Sequence, residues 1–307
     1  MSSRRSAPHA ALAATVVAAA MLALSACSAD TGGNVEAATL PQDTVAVASL
    51  PSSSAEVSTT PATTAPPTTE APTTVPPTTA VPTTVPTDDP TWVGKFPEQL
   101  VAVGTRNGPD TAKIQLRLLQ LGFWNGGADG TYGLTTKQAV MAFQKYIGLE
   151  ASGAVDEPTA AFLTEIDRRA TGSANDGNVV EVDKTKQLLF FVVDGQTRWV
   201  FNTSTGDGLP YTEEDKNTPG VTITDIADTP NGVFKVNRER PEGWWEGDLG
   251  EIYRPKYFNG GIAVHGSNSV PNYPASHGCV RLTVPAMDFV WAQNLMPKGT
   301  TVWVHGG

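Results

Sequence analysis

The chain has 307 residues, a formal charge of −10, 29 glycines, 24 prolines and two cysteines. That length holds two small domains plus linkers. The acidic balance excludes a nucleic-acid binder and a polybasic membrane-surface protein, because both need clustered Lys and Arg against phosphate.

Residues 1–27 read as a sorting signal. Arg4 and Arg5 form a charged start, and the Ala/Leu/Val-rich stretch from Ala10 to Leu24 is too short to suit a spanning helix. The stretch ends in Leu24-Ser25-Ala26-Cys27, which resembles the lipobox of bacterial lipoproteins. The resemblance implies that Cys27 is diacylated and becomes the first residue of the mature chain, and two acyl chains give stable anchoring. The protein is then exported and lipid-anchored at the outer face of the cytoplasmic membrane, in the cell-wall zone. An ordinary signal peptide cleaved nearby, with Cys27 incidental, is the alternative.

Residues 28–107 read as a disordered Pro/Thr-rich linker, with TTPATTAPPTTEAPTTVPPTTAVPTTVPT at its centre. Proline removes backbone donors and fixes φ, so this stretch is expected as polyproline II and coil, with threonines open to O-linked sugars. Sixty such residues reach on the order of 190 Å when fully extended, enough to lift a domain from membrane to wall.

Residues 108–167 read as a small all-α domain. Ile114, Leu118, Leu119 and Leu121 recur at helical spacing behind Pro109-Asp110-Thr111, and Gly122 stops that helix. A second helix carries Ala139, Val140, Phe143 and Ile147 up to Gly148, and a third starts near Glu157-Pro158. LQLGFWNGGADGTYGLTTKQAVMAFQKYIGL resembles the three-helix peptidoglycan-binding module, with Asp129, Gly130, Gly133, Thr136 and Gln144 in matching positions. Read as structure alone, these are turn, cap and core residues.

Residues 177–306 change to period two and short apolar runs. Val-Val-Glu-Val, LLFFVV and TRWVFN are three strands, with Asp194-Gly195 as a tight hairpin turn. Further strands fall at 233–236, 261–264 and 300–304, and one helix at 284–295 with Thr283 as N-cap and Pro285 in its first turn. Short, regularly spaced strands with one helix predict a mainly β, sandwich-like domain, so the whole is a multidomain chain. RPEGWWEGDLGEIYRP holds too much glycine and charge for a core strand; its Trp244 and Trp245 need cover and are expected in a lid or groove wall.

Residues 262–282, IAVHGSNSVPNYPASHGCVRL, concentrate the chemistry. A thiol becomes a useful nucleophile beside a base or positive charge, and here His265 ends a strand while a loop returns Cys279 towards it. Gly266 is expected to turn the backbone beside the histidine, and Gly278 to let a carbonyl approach the N–H groups near the cysteine. His277 and Arg281 alternate with Cys279 and so are expected on its face if the segment is extended. Three other assignments stay open at this point: zinc ligation by His265, His277 and Cys279, a Cys27–Cys279 disulfide, and a buried structural thiol.

The compound pattern His-Gly, loop, Ser-His-Gly-Cys-Val-Arg, with TPNGVFKV (229–236) and YFNGGIAVHG (257–266), resembles the L,D-transpeptidase catalytic domain of YkuD type. The resemblance implies a β-sandwich-like acyltransferase that needs no cofactor and no metal. Its implied partners are peptidoglycan stem peptides, a donor tetrapeptide and an acceptor amine, with the membrane reached through the lipid. It makes Cys279 the nucleophile and His265 the base, with Gly266 and Gly278 as orienting and oxyanion residues and Ser276, His277 and Arg281 as substrate contacts. His277 is also open to a purely structural role, Arg281 to a solvated or paired one, and His305 reads as an ordinary strand-end residue. It also implies 3→3 cross-linking and acylation of Cys279 by carbapenems. A hydrolase trimming stem tetrapeptides and a non-catalytic wall-binding lipoprotein are the other function classes.

Overall fold

The computed structural model describes residues 89–307 except positions 217 and 248. The sorting signal, Cys27 and the linker up to position 88 lie outside the described residues. Among those described, no helix is long and apolar enough to cross a membrane.

The linker expectation fails from Asp89 onward. Residues 89–107 are packed: Leu100 and Val103 are each only 4% exposed, and Val93 and Phe96 lean on the same core. The Phe96 N–H donates to the Thr164 carbonyl at 2.9 Å, and Gly104 and Val155 exchange backbone bonds at 2.8 and 2.9 Å. These apolar residues follow neither a helical nor a strand period, because the segment is an irregular strap over helix ends.

Three helices follow: α1 (Pro109–Leu121), α2 (Leu134–Ile147) and α3 (Glu157–Glu165). The first two stop at Gly122 and Gly148, both left-handed (φ 96° and 77°), where glycine carries no Cβ penalty. The third starts where the Asp156 carboxylate accepts the Thr159 N–H at 2.9 Å. Their stripes meet through Ile114, Leu118, Val140, Phe143 and Leu163, all fully buried. The motif residues hold this module together. Gln115 donates to the Asp129 carboxylate and to the Thr136 hydroxyl, and Gln144 donates to the Ala154 carbonyl and the Thr159 hydroxyl.

The rest is β-rich. Strands β1 (Val179–Asp183), β2 (Leu188–Val193) and β3 (Gln196–Asn202) form a meander; Asp194 and Gly195 both have positive φ, the two-residue turn expected there. Hairpin β4 (Pro210–Glu214)–β5 (Thr222–Ile226) stands apart as its own two-stranded sheet. Then come β6 (Gly232–Lys235), β7 (Arg238–Glu239), β8 (Trp244–Gly247), β9 (Gly250–Asn259), β10 (Ile262–Ser267), β11 (Val280–Thr283), helix α4 (Val284–Ala292) and β12 (Thr301–His305). One sheet runs β3-β2-β1-β12-β6; the second runs β11-β10-β9-β7, with β8 paired to β9. The Trp-Trp segment is thus a hairpin strand, with Trp244 and Trp245 40% and 43% exposed. Thr283 caps α4 as expected.

The meander is covered on both sides, which is why LLFFVV is apolar at every position. Leu188, Phe190, Val192 and Val200 face the helical module's core. Leu189, Phe191, Val180, Val182 and Phe201 face the other sheet and α4, meeting Val264, Val280, Leu282 and Met287. Module and sandwich therefore share a core. A chain starting at 177 will expose that first face, bind hydrophobic dyes and lose its cooperative thermal transition. Phe190→Ala in the full chain will cost about 3–5 kcal/mol in urea unfolding. An equally stable truncated domain would contradict the shared core.

Candidate active site

Strands β10 and β11 pair in parallel, with Val264 opposite Val280 and His265 opposite Arg281. Continuing that register one step sets Cys279 beside Ala263. Side chains alternate along a strand, so His265, Cys279 and Arg281 share one face of the sheet.

His265 is 3% exposed and its Nδ1 lies 2.8 Å from the Gly266 carbonyl oxygen. A carbonyl has no proton to give, so Nδ1 carries the hydrogen and Nε2 keeps its lone pair. Burial, with the Arg281 charge adding to it against the Gly266 bond, lowers the imidazole pKa to about 4. At neutral pH it is an uncharged base. Gly266 does not turn the chain. It sits within β10, and a Cβ there would meet the Tyr253 ring at 2.9 Å, so its bareness serves close packing.

Cys279 is free and partly exposed, its Sγ 3.8 Å from the Gly261 carbonyl oxygen. Burial pushes the thiol up, while the Ala263 N–H and the Arg281 guanidinium pull it down. At rest the thiol and the imidazole on this face are therefore both neutral. Among the described residues no three His, Cys, Asp or Glu side chains converge on one metal position.

The turn before Cys279 is closed by its own groups. Ser276, read from sequence as a substrate contact, is 2% exposed; its hydroxyl donates to the Cys279 carbonyl at 2.5 Å and accepts the Gly278 N–H at 3.1 Å. One donated and one accepted bond are used inside the loop, so the hydroxyl shapes the turn that presents Cys279. Gly278 has φ 128°, and a Cβ would lie 2.7 Å from the Asp228 carbonyl oxygen, so only glycine fits. With its N–H taken by Ser276, the Cys279 N–H is the amide of the pair that no acceptor engages among the described residues.

His277 departs from the expected alternation. It lies in a bend made by the positive φ at Gly278, is exposed, and sets its ring edge-to-face with Tyr211 at 5.0 Å. Arg281 is partly buried and makes no ion pair within 4 Å among the described residues; Cys279 and Asp207 act on it by charge alone. Ser267 is bonded to Ser269 within its own loop, and His305 pairs with buried Glu181 at 2.9 Å.

Several site residues carried no pattern. Thr229 bridges the Gly206 N–H (2.9 Å) and the Gly278 carbonyl (2.7 Å). Thr203 donates to the Arg281 carbonyl at 2.8 Å, and the Thr205 carbonyl receives the Ala275 and Ser276 N–H groups at 3.0 Å. The helical module also reaches this loop: Gln138 donates to the Val270 carbonyl at 2.9 Å, and Asn272 donates to the Ala151 carbonyl at 2.8 Å. Thr229, Gln138 and Asn272 lie in the segments TPNGVFKV, the helical module and 262–282, but no local pattern marked their contacts; Thr203 and Thr205 lie in a stretch with no motif.

Sequence profiles match two parts of the chain: the L,D-transpeptidase catalytic domain (YkuD) over residues 177–304, and a peptidoglycan binding domain over 107–163. Among solved structures, the L,D-transpeptidase of Xylanimonas cellulosilytica (its residues 123–326) is 41% identical, with a TM-score of 0.59. The match covers 71% of this chain and 98% of that one. The N-acetylmuramoyl-L-alanine amidase CwlM of Mycobacterium tuberculosis is 39% identical over 67 residues, 22% of this chain and 16% of that protein. The spore cortex-lytic enzyme of Oceanobacillus iheyensis is 29% identical over 164 residues, 50% of this chain. The chain spans 56% of the length of that relative. With near-complete coverage of a solved L,D-transpeptidase and both profile matches in register with the two folded parts, the chain belongs to the L,D-transpeptidase family.

Proposed function

We propose that the protein is a cell-wall L,D-transpeptidase that forms 3→3 peptidoglycan cross-links through a thioester on Cys279. The carrying observation is the single sheet face shared by Cys279, by His265 with its Nε2 lone pair available, and by Arg281, which makes no ion pair among the described residues. His265 Nε2 takes the thiol proton as Sγ attacks the donor amide carbonyl. The Cys279 N–H stands ready for the oxyanion. Collapse breaks the C–N bond; His265 returns the proton to the departing D-alanine amine, leaving the thioester. An acceptor amine then gives its proton to His265, attacks the thioester carbon and releases the thiolate, which recovers that proton. The thioester conserves the amide's free energy, so no ATP is required. Arg281 grips a substrate carboxylate.

A hydrolase using the same pair, with water replacing the acceptor amine, is the second reading. The likeness to a spore cortex-lytic enzyme favours it. Incubation with a disaccharide-tetrapeptide, followed by mass spectrometry, separates the two. Cross-linked dimer is expected, whereas tripeptide alone would establish the hydrolase. Cys279→Ala is expected to abolish acyl-enzyme and product with an unchanged thermal midpoint, and comparable activity in that variant would sink the cysteine mechanism.

The state of the pair sets the pH dependence. A base of pKa about 4 is lost only as pH falls through 4. Carbapenem adduct formation on Cys279 should therefore hold from pH 7 down to about 5 and drop below. An acid limb centred at the ordinary imidazole value, about 6.5, would mean that His265 is not the buried base described.

We further propose export and lipid anchoring through Cys27. Cys27→Ser should release the protein from the membrane fraction or stall its processing; a wild-type mature N-terminus elsewhere, without lipid, would refute this.

A further inference from the structure

A cleft of about 400 Å³ opens between the helical module and the catalytic domain, separate from the face that carries Cys279. Its walls come from three places. The module supplies Lys145 and Ala151, the β1–β2 turn supplies Lys184, Lys186 and Gln187, and the loop leading to Cys279 supplies Asn272, Tyr273 and Pro274. In a chain of net charge −10, three lysines meeting at one cleft run against the overall balance.

Their counter-charges are incomplete. Lys145 Nζ donates to the Asn202 side-chain oxygen (2.5 Å) and the Gln187 carbonyl (3.2 Å), both neutral, and no carboxylate lies within 4 Å among the described residues. Burial lowers this amine to about 7, so an approaching anion would favour its charged form. Lys184 pairs with Asp228 at 3.3 Å, and that carboxylate is half exposed. Lys186 reaches Asp183 only at 3.9 Å. Tyr273, 60% exposed, adds an aromatic surface beside Pro274. Cationic ammoniums, an amide side chain and a small apolar wall in a cleft of this size suit a short peptide that ends in a carboxylate.

We propose that this cleft is a second wall-peptide site, which binds the terminal carboxylate of a stem peptide between Lys184, Lys186 and Lys145. The choice of peptide rests on the transpeptidase reading; the anionic chemistry does not. The site lies against the loop that Asn272 ties to the module, so a peptide held there touches the same segment that presents Cys279.

The test uses the full chain carrying Cys279→Ala and a synthetic stem tetrapeptide with a photoreactive group near its C-terminus, in carboxylate and carboxamide forms. Labelling is mapped by mass spectrometry. The carboxylate form should label residues 184–187 and 272–274, at least tenfold more than the carboxamide form, and less at high salt. Lys184→Gln/Lys186→Gln should remove that labelling while keeping the label near Arg281. Should the double variant misfold, Lys186→Glu alone, at an exposed side chain, should lower cleft labelling at least tenfold with an unchanged thermal midpoint. Labels confined to the Arg281 region, or cleft labels indifferent to the carboxylate or to the lysines, would overturn the proposal. Lysine-dependent cleft labelling in a protein whose wild type forms no acyl-enzyme upholds the cleft and refutes the transpeptidase reading alone.

Discussion

Parallel neighbours in a sheet cannot be joined by a tight turn; the chain must cross back over roughly a dozen residues, usually as a helix. Between β10 and β11 the crossover is the loop 268–279, which contains no helix and is near the minimum length. Everything at the site follows from that economy. The register fixes His265 beside Arg281 and brings Cys279 onto their face, while the loop's own bonds are confined to the short turns at Ser267–Ser269 and Ser276–Cys279. Beyond those turns, its backbone groups are met from outside, by Ser204, Thr205 and Thr229 of the sandwich and by Gln138 of the module. An irregular segment so close to the reacting atoms is held in one shape only because its polar groups are satisfied in this way.

The electrostatics agree with that geometry. A buried imidazole of low pKa and a thiol raised by burial make a neutral pair, with the proton moving only when a carbonyl arrives. Arg281 is a permanent charge on that face, and it disfavours imidazolium and favours thiolate. Removing it would raise both groups, favouring imidazolium and disfavouring thiolate, so its place beside the pair has consequences beyond gripping a carboxylate.

Legibility followed chain locality. The three helices, the Asp194-Gly195 turn, the capped α4 and the mainly β character were readable because caps, glycines and periodicity act over a few residues. His265 and Cys279 stood out because their residue types and spacing have a chemical reason. What the sequence hid was whatever depends on distant partners. The strap at 89–107 has no period because it packs on helix ends. The β4–β5 hairpin is largely exposed and lacks an apolar face. Nothing local revealed that the Ser276 hydroxyl closes the turn before Cys279. His277 looked aligned with Cys279 until Gly278 broke the extended run. Gly266 looked like a turn residue, yet its constraint comes from Tyr253 across the sheet.

The position of β12 bears on when the molecule can form. Thr301–His305 are the last strand in the chain, yet they lie inside the sheet, parallel to β1 and antiparallel to β6. Until those residues have emerged, β1 has an open edge, β6 has no partner in that sheet, and the core around Val302 and Val304 is missing. The helical module is local in sequence and can collapse early, whereas the sandwich waits for β12. A chain cut within β12 is left with an unpaired edge on β1 and without the Val302 and Val304 side of the core, and such an edge is open to mispairing and proteolysis.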